Sequence, residues 1–94
     1  MEEKARVHLF ISGKVQGVFF RLNAKKKAEE LGISGWAGNL SDGRVEILVE
    51  GEKEKIEELI KWARKGPLFA KVDELEIERQ EFKEEFHSFE IKGE

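Results

Sequence analysis

The sequence contains no cysteine, which excludes a disulfide framework and a thiolate metal site. Its two histidines, His8 and His87, are isolated and lack the spacing of metal ligands. No apolar run approaches the roughly 20 residues of a membrane-spanning helix, and residues 1–4 lack the apolar stretch of a signal peptide. We therefore expect a cytoplasmic protein that uses no metal and no cofactor and does not contact a membrane.

The chain also lacks an excess of positive charge, because 17 Lys and Arg residues are outnumbered by 20 Asp and Glu residues. The formal net charge of −3 argues against a broad surface for the phosphate backbone of a nucleic acid. The lysines at 25–27 are followed by Glu29 and Glu30, which favours a solvated helix face over a nucleic-acid patch. Charged residues make up 39% of the chain and are mostly Lys and Glu, a bias that predicts thermostability.

What the chain does contain is a regular succession of amphipathic segments. A length of 94 residues suits one core, so we expect a single domain over residues 1–94 and a monomer. Apolar alternation and the Asp42-Gly43 turn predict strands over residues 6–12, 33–40, 44–50 and 72–79. Helical spacing of apolar residues predicts helices over residues 21–31 and 53–65. A polar loop over residues 80–85 precedes a short last strand that contains His87, Phe89 and Ile91.

The order of these elements predicts the fold class. A hairpin and two helices that share one sheet indicate a two-layer α+β sandwich. The succession βαββαβ, built from two split βαβ units, indicates a ferredoxin-like topology with a mainly antiparallel sheet and a short extra C-terminal strand. We expect both helices to lie on one face of the sheet and the opposite face to be largely open.

The segment from Gly13 to Arg21 connects the first strand to the first helix and has the features of an anion pocket. Gly13 and Gly17 carry no Cβ, so the backbone can bend sharply and a ligand can approach it closely. Backbone N–H groups at the positive end of a helix attract anions. Arg21 lies in the first helical turn, where the dipole disfavours a cation, which suggests an anion between the two. On the loop alone, an ordinary connection with a solvated arginine remains the alternative.

The chain offers no obvious catalytic nucleophile or general base. It has no serine in a nucleophile-elbow context, no HExxH motif and no Walker lysine. The plausible reactions are therefore those that need little acid–base help, such as hydrolysis of an activated phosphate. Asn39, near the hairpin turn, carries an amide that could hold a water molecule without titrating. The alternative for Asn39 is a structural asparagine that closes an Asx turn.

Two motifs in these regions resemble the paired signatures of the acylphosphatase family. They are Gly13-x-Val15-Gln16-Gly17-Val18-x-Phe20-Arg21 and Gly35-Trp36-x-x-Asn39-x-x-Asp42-Gly43-x-Val45-Glu46. The resemblance implies a ferredoxin-like fold and metal-free hydrolysis of the carboxyl–phosphate bond of a small acyl phosphate, with inorganic phosphate as product and inhibitor. It implies that Arg21 binds the phosphate and that Asn39 orients the attacking water. The backbone N–H groups implied to cradle the phosphate belong to Val15, Gln16, Gly17, Val18, Phe19 and Phe20.

Four positions depart from the family pattern. Members often carry Thr where Ala24 stands, Val and Arg where Ala37 and Gly38 stand, and Pro where Ser41 stands. A lost hydroxyl at position 24 removes a potential hydrogen bond, and a glycine at 38 could loosen the strand that holds Asn39. These differences bear on the rate of turnover more than on the type of reaction.

Two other functions stay open on the sequence. Ferredoxin-like sheets can bind RNA by stacking bases on exposed aromatic residues, and Phe10 lies on the strand face opposite Val7 and Leu9. The negative net charge and the lack of an RNP-type aromatic pattern argue against RNA binding. The other alternative is an acylphosphatase-like domain that serves as a carrier or regulatory unit. The sequence does not indicate a physiological acyl group.

Overall fold

The computed structural model describes residues 3–93 and has the predicted order of elements. The elements are β1 (Lys4–Lys14), α1 (Phe20–Leu31), β2 (Ser34–Asn39), β3 (Val45–Glu52), α2 (Lys53–Lys65), β4 (Lys71–Gln80) and β5 (Phe89–Ile91). β1 is longer at both ends than the alternation predicted, and β5 begins after His87 rather than at it. Neither helix in this part of the chain is long and apolar enough to cross a membrane.

The strands form one five-stranded sheet in the order β4-β1-β3-β2-β5. Every neighbouring pair is antiparallel except β2 and β5, which run parallel. α1 packs across β2 and β5, whereas α2 packs across β1, β3 and β4, and the two helices contact each other. The predicted ferredoxin-like two-layer sandwich with a short extra strand is confirmed.

The core lies between the sheet and the helices, where the apolar side chains on one face of the strands pack against the apolar faces of the helices. The residues of β1 and β3 that face the helices are fully buried: Val7, Leu9, Ile11, Val45, Ile47 and Val49. Ala24 and Ala28 allow α1 to approach the sheet closely, since they are the small residues on its buried face. Phe20 of α1 lies edge-on to Trp62 of α2, with ring centroids 5.3 Å apart, which joins the two helices at the end near the first loop.

The opposite face of the sheet is covered at one end by residues 81–88, which we call the strap. The strap runs from β4 at one edge of the sheet to β5 at the other. It is held by Arg6 and Glu50, neighbours across β1 and β3 whose side chains pair at 2.9 Å and are both buried. The Glu50 carboxylate also accepts hydrogen bonds from the backbone N–H groups of Lys83 and Glu85, each at 2.7 Å. The face predicted to be largely open is therefore closed at this end.

The electrostatics of this pair favour the ionised forms of both residues. Burial opposes ionisation of Glu50, but the two strap N–H groups and the Arg6 guanidinium outweigh it and hold the pKa of Glu50 below its usual value. Burial also opposes the charge on Arg6, yet hydrogen bonds to Glu50 and Glu85 raise its pKa above the ordinary value. The strap is thus fastened by a buried ion pair with additional hydrogen bonds.

Replacing Glu50 by Gln should destabilise the fold by about 2–3 kcal/mol at pH 7, because Arg6 would lose its buried carboxylate partner and keep only the exposed carboxylate of Glu85. A carboxyl whose pKa is lowered by folding stabilises the protein above its unfolded pKa and loses that effect as pH falls through the folded value. The difference between wild type and Glu50→Gln should therefore shrink below pH 4.5, the ordinary pKa of the group. Urea unfolding at pH 7, 5 and 3 measures this difference.

The matched control for this experiment is Glu74→Gln, which neutralises an exposed carboxylate on β4. Its stability should stay within about 0.5 kcal/mol of wild type at every pH. If the free energies of unfolding of wild type and Glu50→Gln differed as much at pH 3 as at pH 7, the assigned role of the carboxylate would be contradicted.

Two glycines near the predicted site differ in what a side chain would meet. Gly13 has φ 126° and lies where the register of β1 against β4 shifts, and a Cβ there would sit 2.1 Å from the backbone oxygen of Lys71. Gly13 is therefore required by the neighbouring strand rather than by a ligand. At Gly38, a Cβ would meet only side-chain atoms, the nearest being the Cβ of Lys92 at 3.5 Å.

Alanine should have opposite effects at these two glycines. Gly13→Ala should destabilise the protein by about 2 kcal/mol or more, because both its φ and its contact with β4 would be strained. Gly38→Ala should stabilise it by about 0.4–1 kcal/mol, because the residue fits and the unfolded chain loses conformational freedom. Thermal and denaturant unfolding of both variants measures the effects, and a change of the same sign in both would contradict the distinction between the two glycines.

Candidate active site

The loop between β1 and α1 has the backbone of an anion-binding nest. Gly17 and Phe19 both adopt left-handed conformations, with φ of 77° and 64°. Alternation of such residues with ordinary ones is typical of concave turns whose successive N–H groups converge on an anion. Across residues 3–93, no acceptor forms a hydrogen bond with the backbone N–H groups of residues 16–19. These donors are therefore not used by the fold itself.

The loop leads directly into the positive end of α1. Phe20, Arg21 and Leu22 are the first helical residues, and their N–H groups have no acceptor within the helix. The first turn contains no acidic residue that would neutralise the dipole. The loop and the helix start thus present their unpaired donors next to one another in the chain.

A cavity of about 270 Å³ opens at this position. Its walls come from the loop, the start of α1, the end of β2 and β5. The lining residues are Val15, Gly17, Phe19, Phe20, Arg21, Leu22, Asn39 and Ile91. The structure therefore brings Arg21 and Asn39, which the sequence placed in two separate motifs, to one cavity.

Arg21 is oriented by the backbone that follows β5. Its Nη1 donates a hydrogen bond of 2.7 Å to the carbonyl oxygen of Lys92. Between residues 3 and 93 it pairs with no carboxylate, whereas Arg6, Arg44 and Arg79 each do. The guanidinium is held in place without being neutralised. Because the partner is a main-chain oxygen, no side-chain pattern in the sequence could have indicated this contact.

Asn39 ends β2, and its side chain is half-buried. No hydrogen bond to its carboxamide comes from any residue that the structure describes, 3–93. The hairpin turn is instead closed by Asp42, whose Oδ1 accepts from the backbone N–H of Arg44 at 3.1 Å and whose Oδ2 accepts from Arg44 Nε at 2.9 Å. The structural alternative for Asn39, closure of an Asx turn, therefore applies to Asp42.

Gln16 and Val18 belong to the predicted cradle but do not line the cavity. Val18 is buried, and the side-chain amide of Gln16 donates hydrogen bonds to the carbonyl oxygens of Leu40 and Arg44, at 2.8 and 3.0 Å. These bonds fasten the loop to the turn that follows Asn39. The sequence identified the loop but not this bridge, because both acceptors are backbone groups from another part of the chain.

Leu22 and Ile91 are lining residues that the sequence reasoning missed as site residues. Ile91 reaches the cavity because β5 pairs parallel to β2, with Ile91 opposite Ala37. The pattern predicted a last strand but not its place in the sheet. In the described range 3–93, no group of three or more His, Asp or Glu side chains could hold a metal ion.

Phe10, the residue on which the RNA-binding alternative depended, is engaged within the protein. The guanidinium carbon of Arg44 lies 5.3 Å from the centroid of the Phe10 ring. The centroid of the His8 ring, on the same face of the sheet, lies 4.3 Å from that of Phe10. His8 in turn makes a contact of 2.8 Å with Glu46. The ring is therefore part of a packed polar and aromatic layer rather than a free stacking platform.

Comparison with known proteins gives a consistent result. The family model described as Acylphosphatase matches residues 7–91. A curated acylphosphatase of Pyrobaculum arsenaticum is 50% identical over 90 residues, which cover 95% of each chain. The solved acylphosphatase of Coxiella burnetii is 40% identical with a TM-score of 0.89, covering 95% of this chain and 93% of that one. For the acylphosphatase of Bacillus subtilis the identity is 32%, the TM-score 0.90 and the coverage 94% and 98%. This chain therefore belongs to the acylphosphatase family.

Proposed function

We propose that this protein hydrolyses the carboxyl–phosphate bond of acyl phosphates without a metal ion, giving a carboxylate and inorganic phosphate. The observation that carries the proposal is the meeting of Arg21 and Asn39 in one cavity at the positive end of α1. Family membership supports the type of reaction. The roles of the individual residues rest on their contacts and on their chemistry.

The phosphoryl group would occupy the loop. Backbone N–H groups of residues 15–20 and the guanidinium of Arg21 would hold its oxygens through charge-assisted hydrogen bonds. The Lys92 carbonyl takes up one Arg21 nitrogen, which leaves the other guanidinium donors for the ligand. Such donors, fixed before the substrate arrives, stabilise the charge that builds on the phosphoryl oxygens in the transition state.

Asn39 would orient the attacking water in line with the bond that breaks. The water oxygen bonds to phosphorus, the bond from phosphorus to the carboxylate oxygen breaks, and that electron pair leaves with the carboxylate. Both protons of the water remain with the phosphate, so a dianionic substrate gives a carboxylate and dihydrogen phosphate. Because a carboxylic acid has a pKa of about 4, its carboxylate leaves readily without being protonated, and no general acid is needed.

Substitutions of Arg21 and Asn39 should separate phosphate binding from water positioning. Arg21→Ala should lower kcat/KM for benzoyl phosphate by about 10³-fold and weaken competitive inhibition by inorganic phosphate, because the ligand loses the one charged partner that residues 3–93 provide in the cavity. Asn39→Ala should lower kcat by about 10²-fold, since only the water is misplaced, with the inhibition constant of phosphate within about threefold of wild type. Steady-state assays without added metal measure both.

Two matched variants complete the comparison. Arg64→Ala removes an exposed arginine of α2 and should leave kcat/KM for benzoyl phosphate and the inhibition constant of phosphate at wild-type values. Asn39→Asp keeps the shape of the side chain but adds a negative charge, so it should be no more active than Asn39→Ala. If both Arg21→Ala and Asn39→Ala hydrolysed benzoyl phosphate at the wild-type rate, the assigned roles would be refuted.

Gln16→Met tests whether the bridge from the loop to the hairpin aligns the two halves of the site. The variant keeps the length of the side chain but loses both hydrogen bonds to the backbone of Leu40 and Arg44. We expect kcat to fall about tenfold or more through misalignment, with a smaller change in the inhibition constant of phosphate. Values of kcat within twofold of wild type in a folded variant would show that the bridge has no part in alignment.

A further inference from the structure

The cavity that contains Arg21 and Asn39 has one wall made of exposed apolar side chains. Phe19 is 69% exposed, Leu22 45% and Ile91 38%. In the described part of the chain only Leu68 and Phe69 are comparably large, apolar and exposed, and neither lines this cavity. Exposed apolar residues are therefore concentrated where a bound acyl phosphate would extend from the loop.

Phe19 belongs to the nest through its left-handed backbone, but the fold does not explain why this position carries a large apolar side chain. It is not a glycine, yet it has φ 64° and ψ 28°, a left-handed conformation that costs roughly 1–2 kcal/mol. It occupies the N-cap of α1 but makes no side-chain capping bond, and its ring is not in the core. Both the backbone N–H and the side-chain amide of Asn23 donate to its carbonyl oxygen, at 3.0 and 2.8 Å, and hold this conformation.

The charges of the cavity limit what this wall can bind. Among residues 3–93, Arg21 is the one charged residue that lines it. The loop, the helix dipole and Arg21 serve the phosphoryl group, so the lining from this part of the chain offers no further cation for a second anionic group on the substrate. The volume of about 270 Å³ lies just below the ~300–1,000 Å³ typical of small-molecule sites, which suits one ring or a short chain beside the phosphate.

We propose that Phe19, Leu22 and Ile91 form an acyl subsite that selects acyl phosphates with an uncharged, apolar or aromatic acyl group over those that carry a second carboxylate. This inference rests on the proposed hydrolysis of acyl phosphates at the same cavity. The subsite would act on the acyl half of the substrate, whereas the cradle acts on the phosphate half. The selectivity should be seen in kcat/KM, because the contacts with the acyl group form on binding and persist in the transition state.

Three substrates test the preference: benzoyl phosphate with an aromatic ring, acetyl phosphate with one methyl group, and succinyl phosphate with a terminal carboxylate. Wild type should have a kcat/KM for benzoyl phosphate at least tenfold above those for the other two. Leu22→Ala and Ile91→Ala should each lower the ratio of benzoyl to acetyl phosphate about threefold to tenfold. Phe19→Asn, which accepts the left-handed backbone, should lower it by about tenfold or more.

A gain of specificity gives a second, independent readout. Leu22→Arg places a cation on the apolar wall and should shift the ratio of succinyl to benzoyl phosphate at least tenfold toward succinyl phosphate. The control Leu68→Ala removes an apolar side chain that is 87% exposed and outside the cavity, and it should change no ratio. The inhibition constant of inorganic phosphate, which engages only the cradle, reveals any variant whose loop is disturbed.

The outcomes separate this inference from the proposed function. If wild type hydrolyses all three substrates equally well and no ratio changes in the variants, the subsite is refuted and the hydrolase function stands. The same holds if succinyl phosphate is the preferred substrate of wild type. If wild type hydrolyses none of the three, the proposed function fails and the subsite fails with it.

Discussion

The site depends on the pairing of β1 and β2 with the same strand, β3. Both are antiparallel to β3, so β1 and β2 run in the same direction, and their C-terminal ends lie at the same end of the sheet. The register is specific, because Ile11 of β1 and Asn39 of β2 both lie opposite Val45. With strands about 4.8 Å apart, this backbone pairing places Asn39 roughly 10 Å from Ile11, near the end of β1 that leads into the loop. The meeting of two distant motifs is therefore a consequence of main-chain hydrogen bonding.

Much of this arrangement could be predicted from the sequence, because it depends on local pattern. The alternation of Val7, Leu9 and Ile11 defines a strand face, and the order of elements then permits few topologies. Leu48, the one apolar residue that broke the alternation of β3, is explained by register, since it lies between His8 and Trp36 on the face without helices. The placement of Arg21 against the helix dipole was the strongest local indication of a ligand.

The parts that could not be predicted are contacts to backbone groups and to the strap. The carbonyl of Lys92 that orients Arg21, and the two carbonyls that bind Gln16, carry no side-chain identity by which a sequence could reveal them. Glu50 continues the polar alternation of β3 and therefore had the pattern of a solvated residue, although it is buried under the strap. Long-range partners of this kind are determined only when the chain has folded.

Gly38, the neighbour of Asn39, lies against the residue that follows β5. A Cβ at Gly38 would lie 3.5 Å from the Cβ of Lys92, whose Nζ lies 3.9 Å from the centroid of the Trp36 ring. A cation over an indole stabilises by roughly 0.5–2 kcal/mol, depending on its solvation. Lys92 thus contacts Trp36 through its side chain and Arg21 through its backbone. Ala37 and Ala24 are fully buried among apolar residues of the core.

The edge position of β5 has a consequence for the motions of the protein. β5 is three residues long and pairs with one neighbour only, so its separation from the sheet breaks fewer main-chain bonds than that of any longer strand. Ile91 and the carbonyl of Lys92 would leave together. A local opening that spares the core would then free the Arg21 guanidinium and remove a wall of the cavity in one step. At the proposed site, the binding of both the phosphate and the acyl group would be coupled to the local opening of a single short strand.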